Sequence, residues 1–117
     1  MNFNAAISGI RNALFRQGVT ANNVANVNTP GYRARQVINA ETASGGVGVG
    51  EVRESTAPGS PDILQLSDAA YAANAGSNVD LAEEQINTLT NAAQLRANVS
   101  VLKVQDDALG AVLDIKR

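Results

Sequence analysis

The sequence predicts a mainly α protein in which long N- and C-terminal amphipathic helices pack together as a coiled-coil-like pair around a small β-like or irregular insert. Three observations lead there. Apolar residues recur on steps of three and four near both ends of the 117-residue chain. Between residues 33 and 76 that periodicity gives way to short alternation, glycine and proline. Hydrophobic residues make up 44% of the chain, but alanine dominates them and the only aromatics are Phe3, Phe15, Tyr32 and Tyr71. Aromatics supply much of the area in a thick core, so their shortage favours narrow seams between helices.

The first element is read from Phe3, Ile7, Ile10, Leu14, Ala21 and Val24, a stripe broken only by Gln17. Residues 3 to 27 make a helix of ~37 Å at 1.5 Å per residue. Gly9 and Gly18 each cost it roughly 1 kcal/mol relative to alanine, so the helix depends on packing. It stops in "ANNVANVNTPGY", residues 21 to 32. Pro30 turns Thr29 away from helical geometry, Gly31 accepts a positive φ, and the asparagines bond to nearby backbone. Tyr32 follows the corner, placed to fold back on the helix or to dock elsewhere. This closes an N-terminal segment, 1–32.

The insert, 33–76, holds two alternating stretches, "RARQVINAE" and "VGVGEVRES", with "TASGG" as a hairpin connection. "TAPGSPD" reads as a loop. "GGVGVGE" lacks the third glycine of a dinucleotide-binding fingerprint and no helix follows it, so it reads as a β segment. "LQLSDAAYAANAGSN", 64–78, suits a short helical turn or an extended strand, with Tyr71 as a packing residue.

The C-terminal segment, 77–117, is a second long helix. Asp80 caps its start, Glu83 reaches back, and Glu83 with Glu84 suits the positive end of the macrodipole. Ala82, Ile86, Leu89 and Ala93 form one stripe; Leu95, Val99, Leu102, Leu109 and Leu113 form a second, offset by about two residues, which rotates the apolar face. Lys116 and Arg117 sit at the negative end. Side by side, two such alanine-rich helices bury little area, at roughly 25 cal/mol per Å². Repeated copies would bury both faces, which points to a structural subunit of a self-assembling or co-assembling object.

Composition excludes several function classes. A net charge of −2 with nine scattered Lys and Arg gives no basic stripe for nucleic acid. With no cysteine and no histidine, the usual metal ligands and the commonest general base near neutral pH are missing, so no metal or cofactor is expected. "MNFNAAISGIRNALFRQG" has no continuous apolar run for a cleavable leader, and no stretch approaches the ~20 apolar residues that span a bilayer. An enzyme reading would pair Glu83 with Glu84 or Asp106 with Asp107. Neighbours on a helix diverge by about 100°, so neither pair faces one substrate; both read as solvated or capping charges, and no small-molecule substrate is expected.

"ANNVANVNTPGY" resembles the signature of the bacterial flagellar basal-body rod proteins, in which A-N-N-[IV]-A-N-x-[NS]-T-P-G-[YF] follows an N-terminal helix. "AISGIRNALFRQGVTANNVAN" is similar to that family's first helix. "NVDLAEEQINTLTNAAQLRANVSVLKVQDDALGAVLDIKR" is similar to its last, with the N-V-D-L-A-E-E opening looking closest to the short proximal rod proteins. The resemblance implies a rod subunit that transmits torque, exported by the flagellar apparatus without a cleaved leader, with other rod proteins, copies of itself and the export apparatus as partners. It implies that Asn22, Asn23, Asn26, Asn28, Thr29, Pro30, Gly31 and Tyr32 form a conformational lock after the first helix. Leu81, Glu83, Glu84, Ile86, Leu89, Asn98, Val99, Val101 and Leu102 would be packing or interface positions on the second. Taken with the stripes, the expected helix interface is Phe3, Ile7, Ile10, Leu14, Val24, Leu81, Ile86, Leu89, Leu95, Val99, Leu102, Leu109 and Leu113. At Ala92 to Leu95 the chain departs from the family's S-R-A-Y-like pattern, so no aromatic docks there.

Overall fold

A computed structural model describes residues 3–57 and 76–115. Helix α1 spans Phe3–Ala25, strands β1 (Arg35–Glu41) and β2 (Val47–Glu54) form an antiparallel hairpin, and helix α2 spans Leu81–Ile115. The expected loop beyond Ala57, Tyr71 with most of the stretch 64–78, and the basic end Lys116 and Arg117 lie outside the described residues.

Each element has a local cause. Asp80 Oδ1 accepts from the amides of Ala82 (3.0 Å) and Glu83 (3.4 Å), starting α2 where the sequence places the cap. The other half of the expected capping box is absent, since no hydrogen bond joins the Glu83 carboxylate to the Asp80 amide among the described residues. In the hairpin loop, the Thr42 amide donates to Gly46 O (2.9 Å), the Gly46 amide to Thr42 Oγ1 (3.0 Å), and Gly45 takes φ +84°. Ile38 pairs with Glu51 but Asn39 with Val49, leaving Gly50 as the extra residue of a bulge.

The two helices pack antiparallel: Asn23 meets Glu84, Gln17 meets Asn91, Arg16 meets Gln94, and Gly9 faces Asn98. Their pairing uses little of the apolar stripes, of which Leu95 and Leu102 on α2 lie in the seam. On α1 the buried residues are Ala6, Gly9, Asn12, Ala13, Thr20 and Asn23; most lie one position before the expected stripe, about 100° round the helix. Ile7, Leu14 and Val24 are exposed, while Phe3 and Ile10 are half-buried. On α2 the seam runs through Glu84, Asn91, Leu95, Asn98 and Leu102; Leu81, Ile86, Leu89, Val99, Val101, Leu109 and Leu113 are exposed.

Small size and polar matching explain the choice of face. A Cβ on Gly9 would stand 2.6 Å from the Asn98 side chain, so glycine lets the helices approach there. Arg16 donates to Gln94 Oε1 at 2.8 Å, and Asn91 Nδ2 to Gln17 Oε1 at 3.2 Å. Most of the larger apolar side chains, which would hold the backbones apart, face outward.

The molecule is correspondingly long. Its principal extents are 79 × 25 × 14 Å and its radius of gyration 20.3 Å, against roughly 13 Å for a compact chain of ~100 residues. With 35 residues against 23, α2 outruns α1, and roughly its last ten residues, ~15 Å, extend past Phe3. A two-stranded hairpin is marginal alone. Here it leans on α1: Asn12 Nδ2 donates to Asn39 Oδ1 (3.0 Å) and the Val47 amide to Ser8 Oγ (3.1 Å).

Candidate assembly site at the end of the first helix

The residues from Asn22 to Tyr32 form two linked turns. As α1 ends, the Asn26 amide bonds to Asn22 O (3.2 Å) and Asn23 O (3.1 Å), while Asn26 Nδ2 reaches back to Asn22 O at 2.8 Å. This satisfies a carbonyl that the helix end leaves short of donors. Thr29 then caps the first turn, its amide bonding to Asn26 O and its hydroxyl to Asn26 Oδ1, both at 3.0 Å. The second turn is Thr29-Pro30-Gly31-Tyr32, closed by Tyr32 N–H to Thr29 O at 3.1 Å. With proline second and Gly31 at φ +74°, it is a type II turn. Asn22, Asn28, Thr29, Pro30 and Gly31 are exposed, and a Cβ on Gly31 would meet nothing within 4 Å. Its backbone conformation, not space, calls for glycine.

The corner returns the chain onto Asn23, which is 1% exposed. Its Nδ2 donates to Arg35 O (2.8 Å) and Glu84 Oε1 (2.9 Å), and its Oδ1 accepts from the Arg35 amide (2.9 Å) and the Tyr32 hydroxyl (3.2 Å). All four hydrogen-bonding positions of one amide are used. Toward Arg35 the side chain bonds to N–H and C=O of the same residue, as a neighbouring strand would. Asn23 thus joins the end of α1, the turn, the start of β1 and the first turn of α2.

A second asparagine completes the clasp. Asn78 gives its amide to Tyr32 O (3.2 Å), accepts from the Ala34 amide on Oδ1, and donates from Nδ2 to Ser55 O and Ala57 O, both 3.1 Å. The Ser55 amide bonds to Ala34 O at 2.7 Å. The entry of β1, the exit of β2 and the lead into α2 therefore share one residue. Nothing local marks Asn78 in the sequence; its importance comes from segments that meet only in the fold.

Glu84 overturns one expectation. Its residue type and position read as a solvated or capping charge, whereas the resemblance makes it a packing position; it is 4% exposed in the seam, four residues past the cap and on the face that meets α1. Oε1 takes the Asn23 bond, and Oε2 is buried with no hydrogen-bond partner. Burial pushes the carboxyl above the ordinary range, the Asn23 bond working against it. Asp106 and Asp107 are exposed, as expected. Within Ala92 to Leu95, Gln94 accepts from Arg16, and Leu95, at the aromatic position of the expected pattern, is half-buried.

Residues 3–33 match the family model described as flagella basal body rod protein. The matched span runs from the first residue of α1 to the residue after Tyr32, so it contains the helix and both turns. Over these residues the chain is similar to the flagellar rod family. No curated protein matches the sequence. The flagellar rod family is structural, and its place is the flagellar basal body. Among the described residues no group of acidic side chains is arranged to hold a metal ion, and no helix is long and apolar enough to cross a membrane.

Proposed function

We propose that this chain is a subunit of the proximal part of the flagellar rod, joined to other rod proteins and to copies of itself through the outward faces of its helices. The observation that carries the reading is the division of labour between helix faces. The seam within the chain is small and polar, whereas Leu14 (56% exposed) on α1 and Leu89 (71%) and Leu113 (60%) on α2 face outward. Exposed apolar residues recurring along both helices suit contact with neighbouring subunits. The lock from Asn22 to Tyr32 fixes the angle at which the hairpin leaves the helix pair, so neighbouring subunits meet a rigid wedge. Such a subunit passes torque along the axis and performs no catalysis. Its route outward is the flagellar export apparatus.

The test is quantitative mass spectrometry of detergent-purified hook and basal-body complexes, measured against a ring protein. Several copies per complex are expected. A chain that is expressed but missing from the complexes would instead be a soluble partner of axial proteins, and the rod reading would fall. Gly31→Val, expressed from the native locus, is expected to leave the chain soluble but unable to enter the complex; normal incorporation and motility would show that the lock is dispensable.

A further inference from the structure

The apolar stripe explains how the chain could meet neighbours but leaves Glu84 without a purpose. This is a carboxyl sealed between two helices, bonded through one oxygen to a neutral amide and through the other to nothing. A carboxylate costs far more to bury than a neutral polar group, and an ion partner ordinarily offsets that cost. None does so here: among the described residues the ion pairs are Arg35 with Glu54 and Arg53 with Glu51, both at the exposed hairpin.

We infer that closure of α1 onto α2 at the signature turn is linked to proton uptake by Glu84, so that the helix pair is latched when this carboxyl is neutral and loosened when it ionises. Burial and the acidic Glu83 favour that direction, while the uncharged side chains of Asn23, Asn87 and Thr20 work against it. From α2, Glu83 is adjacent and acidic, and Asp80 lies one turn earlier with its carboxylate on the cap. From α1 the seam offers Thr20 and Asn23, both uncharged. Arg16, on the same helix, gives its guanidinium to Gln94, about three turns further along α2. From the turn comes the Tyr32 phenol, already donating to Asn23 Oδ1. From β1, Arg35 meets the node through its backbone while its guanidinium lies 3.9 Å from Glu54.

Thermodynamic linkage fixes the sign. Burial raises the folded-state pKa of Glu84, so the paired state holds a proton that the open chain has released. The resulting stabilisation is fully present below the ordinary carboxylate range and disappears as pH rises through the raised value. Between those limits the opening equilibrium constant grows by up to about tenfold per pH unit from this group alone. Loosening should be felt where Asn23 is held, at the turn and the start of β1, because the same amide bonds Glu84, Tyr32 and Arg35. The inference stands independently of what the chain assembles with.

Two measurements on the full chain test it. In the unaltered protein, carbon-detected NMR should show the Glu84 carboxyl titrating above the ordinary Glu range, with the Asn23 side-chain amide signal moving at the same midpoint; titration within the ordinary range would overturn the inference. In parallel, urea midpoints between about pH 4 and pH 8 are compared for the unaltered chain and Glu84→Gln, which keeps the shape and an acceptor for Asn23. The unaltered chain is expected to lose stability relative to Glu84→Gln as pH rises. Equal pH dependence of the two chains would sink the proposal, and should the variant not fold, the NMR titration decides alone.

Discussion

The two ends of the helix pair are built on opposite principles. At the signature end, Asn23, Tyr32, Asn78 and Glu84 form a polar node in which backbone of three segments is held by side-chain amides. At the other end, α2 runs beyond α1 with Leu109, Val112, Leu113 and Ile115 exposed, the last at 85%. Hydrogen bonds are directional, so they fix where the chain changes course. Apolar contact is not directional and suits a surface that has yet to find its cover. The molecule places its specificity where the backbone turns and its adhesive surface where it runs straight.

Breaking the node should have the largest effect. Asn23→Ala removes four hydrogen bonds at a buried position and strands the Arg35 backbone groups. Net bonds of ~1 kcal/mol each, with desolvation penalties added, give a loss of about 4 kcal/mol, read as a shift in urea midpoint. Asn78→Ala should cost less, about 2 kcal/mol, because Ser55 O and Ala57 O lie nearer solvent. Amide exchange sharpens the contrast: Ala34 should lose protection in Asn78→Ala while α1 amides near Gly9 keep theirs.

The turn and the seam follow. Gly31→Val forces a β-branched residue to φ +74°, costing roughly 1–2 kcal/mol by backbone strain alone, measurable as a lowered urea midpoint. Gly9→Ala sets helix propensity against a collision with Asn98, whose Nδ2 bonds to Gln94 O at 2.9 Å. The single variant should be destabilised, and pairing it with Asn98→Ala should recover up to about 1 kcal/mol of propensity. A gain in the single variant would mean that Asn98 moves aside freely. Smallest for the isolated chain is Leu113→Ser at the far end, within about 0.5 kcal/mol of the original. Its consequence should instead appear as reduced incorporation into basal-body complexes.

Much of the candidate site was legible in advance because its causes are local. The end of α1, the Thr-Pro-Gly corner and the Asp80 cap follow from fixed φ at Pro30, positive φ at Gly31 and an acidic side chain over free amides. The hairpin was legible too, since alternation on both sides of "TASGG" specifies strands and a short connection. The face on which the helices meet was not. Periodicity shows that Ile7, Leu14, Val24, Leu89 and Val99 share an apolar side, but not whether that side meets the chain's own second helix.

By itself, then, the sequence determined the elements, their boundaries within a few residues and the geometry of the turn, because these rest on interactions between residues close along the chain. Tertiary structure alone decided that small and polar residues form the seam, that Asn23 and Asn78 each bind several segments, and that Glu84 is buried. Those outcomes depend on partners brought together from distant parts of the chain, such as Ala34 with Asn78 at a separation of 44 and Asn23 with Glu84 at 61, which no local pattern encodes. The physical reason is steric and electrostatic together. Gly9 and its alanine neighbours permit close approach, and at that distance matched amides outcompete bulky side chains for the space between the helices.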